Sequence, residues 1–168
     1  MGDQVRVGVI GTSPYADQTH LPNLKSHAGA QIAAICGRNR ARAQEMADKY
    51  AIPLVYTDYR QMLAQADLDA VVIAVTDDLH YPMTMDALSA GLHVLCEKPL
   101  ALNAQQARAM TEKAQAMGVK HMTFFAWRFE IYHRYLHQLV GEGYVGRPYL
   151  CQLRQVGVRR RALRDGSR

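Results

Sequence analysis

Two stretches of the chain carry residue types suited to chemistry. Near the amino terminus, Val5–Leu24 reads Val-Arg-Val-Gly-Val-Ile-Gly-Thr-Ser-Pro-Tyr-Ala-Asp-Gln-Thr-His-Leu-Pro-Asn-Leu. The apolar run Val5, Val7, Val9 and Ile10 suits a buried strand, and Gly11 permits a sharp turn out of it. Thr12, Ser13 and Pro14 then lead into a helix entry. A strand, a small-residue turn and a helix amino terminus form an anion cradle, because free backbone N–H groups and the positive end of the helix dipole converge on the turn. Gly11, Ser13 and Ala16 occupy the G-x-G-x-x-G/A spacing of a dinucleotide-binding turn, with serine in place of the second glycine. Taken alone, this turn fits either a dinucleotide site or a plain strand–helix connection. The second stretch is Glu97-Lys98-Pro99, at the end of the apolar run Leu92–Cys96. A lysine at a strand end that faces a cleft can be desolvated toward a working pKa, and an adjacent glutamate can orient it. A surface Lys–Glu pair ahead of a helix is the plain alternative.

The elements that must position these residues follow in a regular order. The second strand spans Gln31–Cys36 and is ended by Gly37-Arg38-Asn39-Arg40, with Asn39 capping a helix over Ala41–Tyr50. Pro53 stops that helix, Leu54-Val55-Tyr56 is a minimal third strand, and Asp58 with Gln61 suits a capping box. Asp69–Val75 is a continuous β-branched strand, as expected where both faces are covered. Thr76-Asp77-Asp78 turns it into a helix over His80–Ala90, closed by Gly91. Leu92–Cys96 is the fifth strand. Asn103 with Gln106 caps a helix over about 104–117, and Lys120–Phe125 is the sixth strand. This β-α alternation with short connections specifies an α/β fold, a doubly wound parallel sheet complete by about residue 125. Residues 1–125 therefore read as a dinucleotide-binding domain. Residues 126–168 read as the incomplete start of a substrate or oligomerisation domain, a truncated α+β piece with a helix over Arg128–Glu142 and a strand over Tyr149–Val158.

In an open α/β sheet, ligands bind beyond the carboxyl ends of the strands. Position alone therefore nominates Gly11–Pro14, Gly37–Asn39, Thr76–Asp78, Glu97–Pro99 and Ala126–Arg128.

Composition excludes several classes. At 168 residues, 49% hydrophobic and 21% charged, the chain is globular. No apolar run reaches the roughly 20 residues that span a bilayer, and no signal peptide is evident, so a cytoplasmic chain without a membrane partner is expected. Cys36, Cys96 and Cys151 are widely spaced and form no C-x-x-C pair, which argues against a zinc knuckle or a disulfide framework. The net charge of +5 is a property of the end of the chain: residues 147–168 carry seven arginines and one acid. A solvated tail, rather than a nucleic-acid arm, is the expectation. His133 and His137 stand i,i+4 without an evident third ligand, so no metal site is expected.

Gly11-x-Ser13-x-x-Ala16 followed by His20-Leu21-Pro22, Asp69–Thr76, His80, and Ala87–Leu100 with its Ala-Gly-x-His-Val-x-x-Glu-Lys-Pro string resemble the glucose–fructose oxidoreductase / inositol dehydrogenase / rhizopine catabolism (GFO/IDH/MocA) family over about residues 5–155. The resemblance implies an NAD(P)-dependent oxidoreductase acting on a sugar, polyol or related small hydroxy or carbonyl compound. A truncated, non-catalytic nucleotide-binding or regulatory module is the alternative. By the resemblance, Lys98 is catalytic and lies near the nicotinamide, Glu97 approaches its ribose, Thr76 and His80 line the cofactor cleft, and Arg128 contacts the cofactor. Together with Gly11, Thr12, Ser13, Pro14, Gly37 and Arg38 these form the expected cofactor set. The resemblance also implies a homo-oligomer. Because no acid follows the second strand and Arg38 does, NADP is expected to be accommodated at least as well as NAD.

Overall fold

A computed structural model describes residues 4–152 and 154. Six strands, β1 (Val5–Ile10), β2 (Ala30–Cys36), β3 (Leu54–Tyr56), β4 (Ala70–Ile73), β5 (His93–Glu97) and β6 (His121–Phe124), form one sheet in the order β3-β2-β1-β4-β5-β6. Every neighbouring pair is parallel. The connecting helices are α1 (Leu21–Ser26), α2 (Arg40–Tyr50), α3 (Tyr59–Gln65), α4 (Asp77–Ser89) and α5 (Ala104–Ala116), and α6 (Ile131–Gly141) follows the sheet. The chain divides into two compact units after Phe125.

The central strands are apolar on both faces because each face has its own cover. Alternate residues divide between two cores. Ile10, Val71, Ile73, Val94 and Cys96 pack with Met62, Leu88 and Ala114 of α3, α4 and α5. Val7, Val9, Ile35, Val72 and Ala74 pack with Leu21, Met46 and Ala47 of α1 and α2.

Helix entries follow local side-chain chemistry. Asn39 accepts from the Arg42 N–H at 3.0 Å, Asp58 from that of Arg60 at 2.8 Å, and Asn103 from that of Gln106 at 2.9 Å. Gln106 accepts in return from Leu102 N–H, so the reciprocal cap closes one residue before Asn103. Asp58 has no such return bond from Gln61 among the described residues.

Several segments differ from expectation. α4 starts at Asp77 rather than His80, with both acids in its first turn, where the positive end of the helix dipole favours them. Between the first turn and α1 lies a π-helical segment, Ala16–His20, a rare geometry that recurs at functional sites. The helix expected over Arg128–Glu142 is split: a 3-10 turn over Ala126–Phe129 gives way to α6, because Glu130 takes extended backbone. Of the strand expected at Tyr149–Val158, residues 149–152 and 154 have no strand conformation, and the rest, like Arg159–Arg168, lie outside the described residues. No described helix is long and apolar enough to cross a membrane.

Candidate functional site

The sheet order reverses direction between β1 and β4, and a cleft of about 410 Å³ opens at their carboxyl ends. This is the switch point at which open α/β sheets take ligands, and the volume is ordinary for a small-molecule site. Gly11, Thr12, Ser13, Gly37, Arg38 and Thr76 all line it. Pro14 is exposed beside the turn and does not line the cleft.

Gly11 has φ +124°, and a Cβ there would stand 2.1 Å from the Ala74 carbonyl oxygen. The turn is therefore drawn tightly against the end of β4, and its backbone is bound on both sides: Gly11 N–H donates to Cys36 O at 2.9 Å, and Ala74 N–H to Ile10 O at 2.8 Å. A Cβ on Gly37 would meet the Thr12 side chain at 2.4 Å, so β2 closes on the turn equally closely. The Thr12 and Ser13 N–H groups have no partner among the described residues. Two free donors ahead of a helical segment are the fit that an anionic pyrophosphate requires. Ser13, the departure from glycine, turns its hydroxyl back to accept from Ala16 N–H at 3.1 Å. The helical segment is anchored from outside by Asp17, which is bonded to Lys49 at 2.9 Å and to the Tyr50 hydroxyl at 3.0 Å. The Lys49 hydrogen bond is the main reason its carboxyl titrates below the usual range.

The far end of the cleft is built by residues that sequence reasoning did not nominate: Thr57, Tyr59, Leu79 and Met83. They come from the loop after β3 and from α3 and α4. No spacing in the sequence announces them, because only packing of those elements brings them together. Cys36 also lines the cleft, but burial pushes its thiol up to about 11, so it enters as a small apolar surface. The Arg38 guanidinium is exposed and has no ion pair or hydrogen bond among the described residues.

Lys98 directly follows β5 and is exposed, and its ammonium has no partner among the described residues. Its backbone is held from two directions. Glu97 Oε2 accepts from Lys98 N–H at 3.1 Å, and the carbonyl of Pro99, joined to Lys98 by a cis peptide bond, contacts His80 Nδ1 at 2.7 Å. His80 is wholly buried, with its Nε2 3.3 Å from Val75 O. Both ring nitrogens therefore address backbone carbonyls, and His80 braces the two strand-end turns from beneath rather than lining the cleft. Glu97 also turns inward. Its side chain is buried, with Oε1 2.7 Å from His20 Nε2, so the described carboxylate faces inward. His20 is a further residue of the site whose type the sequence displays but whose place it does not. Arg128 lies exposed on the 3-10 turn of the second unit, next in sequence to Trp127, whose ring stacks on that of His133 at 5.7 Å. No group of three or more metal-ligating side chains occurs among the described residues.

A wholly parallel sheet of this order, with an anion-binding turn at its switch point, defines a dinucleotide-binding domain. Residues 5–125 match the family described as an oxidoreductase family with an NAD-binding Rossmann fold, and the chain belongs to this GFO/IDH/MocA family. It is 33% identical over 157 residues to D-glucoside 3-dehydrogenase of Escherichia coli K12, covering 92% of this chain and 45% of that protein. A scyllo-inositol dehydrogenase from Lactobacillus casei, solved with bound NAD(H) and scyllo-inositol, superposes with a TM-score of 0.81 at 26% identity, over 86% of this chain and 43% of that one. A 3-ketoreductase from Actinomadura kijaniata in complex with NADP superposes at 0.79 with 32% identity, over 86% of this chain and 46% of that one. The chain thus spans under half the length of the relatives it matches.

Proposed function

We propose that this chain supplies the cofactor-binding part of an NAD(P)-dependent oxidoreductase that moves a hydride between nicotinamide and a sugar, polyol or related hydroxy or carbonyl compound. The observation that carries the reading is the Lys98 ammonium at the end of β5, without a partner among the described residues and with its backbone held by Glu97 and by His80 through Pro99, in a sheet whose switch point offers a cleft with N–H donors likewise unpartnered there. The bound cofactor would supply the hydride chemistry. The chain's own residues hold it and manage the proton: Thr12 and Ser13 N–H groups receive the pyrophosphate, Gly11 and Gly37 let the backbone close on it, and Lys98 Nζ gives or takes the proton of the substrate oxygen. Arg128 is assigned to cofactor contact by the family resemblance alone. The whole protein is proposed to act as a homo-oligomer on a small-molecule substrate.

Arg38 supports NADP as the preferred cofactor. It lines the cleft at the end of β2, free of any carboxylate partner among the described residues, where an acid would select the ribose 2′-hydroxyl of NAD. A guanidinium there can take a 2′-phosphate through a charge-assisted fork. Titrations of NADPH and NADH against the chain test both statements. Tight NADPH binding that weakens about tenfold or more in Arg38→Ala, with little change for NADH, is expected; a tenfold preference for NADH in the native chain, about 1.4 kcal/mol, overturns the NADP assignment. For the catalytic role, Lys98→Ala in the whole enzyme is expected to lower kcat by about 10²–10⁴ at nearly constant cofactor affinity. Native-like turnover in that variant removes Lys98 from the proton transfer.

A further inference from the structure

Beneath Lys98 lies a contact that neither the cofactor cleft nor the proton transfer uses. His20, the last residue of the π-helical segment, and Glu97, the last residue of β5, are only 4% and 6% exposed. His20 Nε2 stands 2.7 Å from Glu97 Oε1, while Glu97 Oε2 accepts from the Lys98 N–H at 3.1 Å. The imidazole is held between two rings: that of Tyr15, edge-on with centroids 5.6 Å apart, and that of Phe124, tilted at 4.9 Å. Phe124 ends β6 and pairs in register with Glu97. Both rings pack against the imidazole that faces the carboxylate.

A buried carboxylate needs compensation for each lone pair it withdraws from water. Here one oxygen is compensated by a side chain from the helical segment that leaves the phosphate turn, and the other by the backbone of the lysine. We propose that His20 is a positioning residue: through Glu97 it fixes the backbone of Lys98, and so ties the segment that begins at the anion-binding turn to the placement of the proton-handling ammonium. The π-helical geometry has a physical role in this. A segment wound at five residues rather than four per hydrogen bond displaces its last side chain around the helix axis, and that last side chain is His20. Asp17, one turn earlier, is pinned to α2 by Lys49 and Tyr50, so the segment delivering His20 is anchored at its outer face while His20 reaches inward.

This inference rests on the reading of Lys98 given above only for its functional meaning; the mechanical link stands or falls separately. The test is amide hydrogen exchange and NMR on the isotopically labelled 168-residue chain. Lys98 is additionally observed through ¹³C-methyl groups added by reductive methylation and assigned by their loss in Lys98→Arg. In His20→Leu, exchange at the Lys98 amide is expected to accelerate about tenfold or more beyond any change at β1 and β4 amides, the factor lost with one hydrogen bond to a charged group, and the Lys98 methyl signal is expected to move. In His20→Gln, whose carboxamide N–H can still donate to Oε1, both are expected to fall between the native and His20→Leu values. If His20→Leu does not fold, Glu97→Gln carries the test: it keeps the shape and removes the charge, and the Lys98 amide proton should move upfield. Equal acceleration at Lys98 and throughout the sheet, or a folded variant with unchanged Lys98 signals, overturns the proposal and leaves His20 as a packing residue. Cofactor titration is not needed for any of these outcomes, so a chain that binds no NADPH yet shows the coupling refutes the functional reading and not this one.

Discussion

At the scale of single residues, two glycines with the same unusual backbone sign have different consequences. Gly11 combines φ +124° with a Cβ position 2.1 Å from a backbone carbonyl, so any side chain must prise β1 from β4. Gly91 has φ +78° with open space around it. Gly91→Ala is expected to cost only the left-handed conformation, about 1–2 kcal/mol. Gly11→Ala is expected to cost more than about 2 kcal/mol, because strain and overlap add. Denaturant melts of the two variants check this, and equal losses would show that the close approach at Gly11 relaxes freely. A cofactor titration of Gly11 variants would mix binding with folding, which is why Arg38 is the cleaner probe of the cleft. Lys98 is the converse case: exposed, with an ammonium that has no partner among the described residues, its replacement by alanine should leave the melting temperature of the chain within about a degree or two of native, since surface changes away from specific contacts lie within about 0.5 kcal/mol.

At the scale of elements, β1 and β4 are clamped at both ends. At the carboxyl end the clamp is Gly11 against Ala74; at the amino end it is Arg6 with Asp69. Asp69 Oδ2 accepts from the Arg6 backbone N–H at 2.7 Å and from Nε at 3.0 Å, Oδ1 accepts from the guanidinium at 2.7 Å, and Asp67 bonds the same guanidinium. These bonds to Arg6, side chain first, hold the Asp69 carboxyl down to about 2. A carboxyl depressed on folding stabilises the native state above its unfolded pKa, near 3.8, and that stability is lost as pH falls toward about 2. Asp69→Asn is therefore expected to be less stable than native at pH 6 and to have a flatter stability profile between about pH 4 and pH 2. The pair is partly exposed, so the effect is screened and weakened by salt. Urea melts across that range decide the matter, and parallel profiles would remove Asp69 from the clamp. The helix entries belong to this scale too. Asn103→Ala should destabilise the first unit by about 1 kcal/mol, the ordinary value of an N-cap, through the lost bond to Gln106 N–H.

At the scale of the whole molecule, the two units differ in how much apolar surface they cover. Among the described residues the buried core lies in the first unit, whereas in the second Ile131, Tyr132, Tyr135 and Tyr144 are 59–83% exposed. Exposed apolar side chains at this density favour association. A chain of residues 1–125 is expected to fold as a monomer that still binds cofactor, more weakly by the Arg128 contact it lacks, while the 168-residue chain is expected to self-associate. Size-exclusion chromatography with light scattering, alongside NADPH titration, tests both; a monomeric 168-residue chain would show that the second unit covers its own surface.

Much of this was legible from residue order alone, for a definable reason. Strand existence, helix caps and the turn at Gly11 are set by interactions within a few residues: the continuous β-branched run of β4, the Asn39 and Asn103 caps, the glycine at a strand end. The parallel sheet followed because short β-α alternation leaves few other topologies. The rank of strand ends then brought Thr12, Ser13, Arg38 and Thr76 to one cleft. The inward roles of His20, Glu97 and His80 were decided only by the tertiary structure. Nothing local distinguishes a histidine that lines a cleft from one that braces it from below. The difference is which carbonyl or carboxylate the ring meets across 77 residues for His20 and 19 for His80. That is set by how the π-helical segment, β5 and α4 pack against one another, and by the cost of burying an imidazole or a carboxylate without a partner.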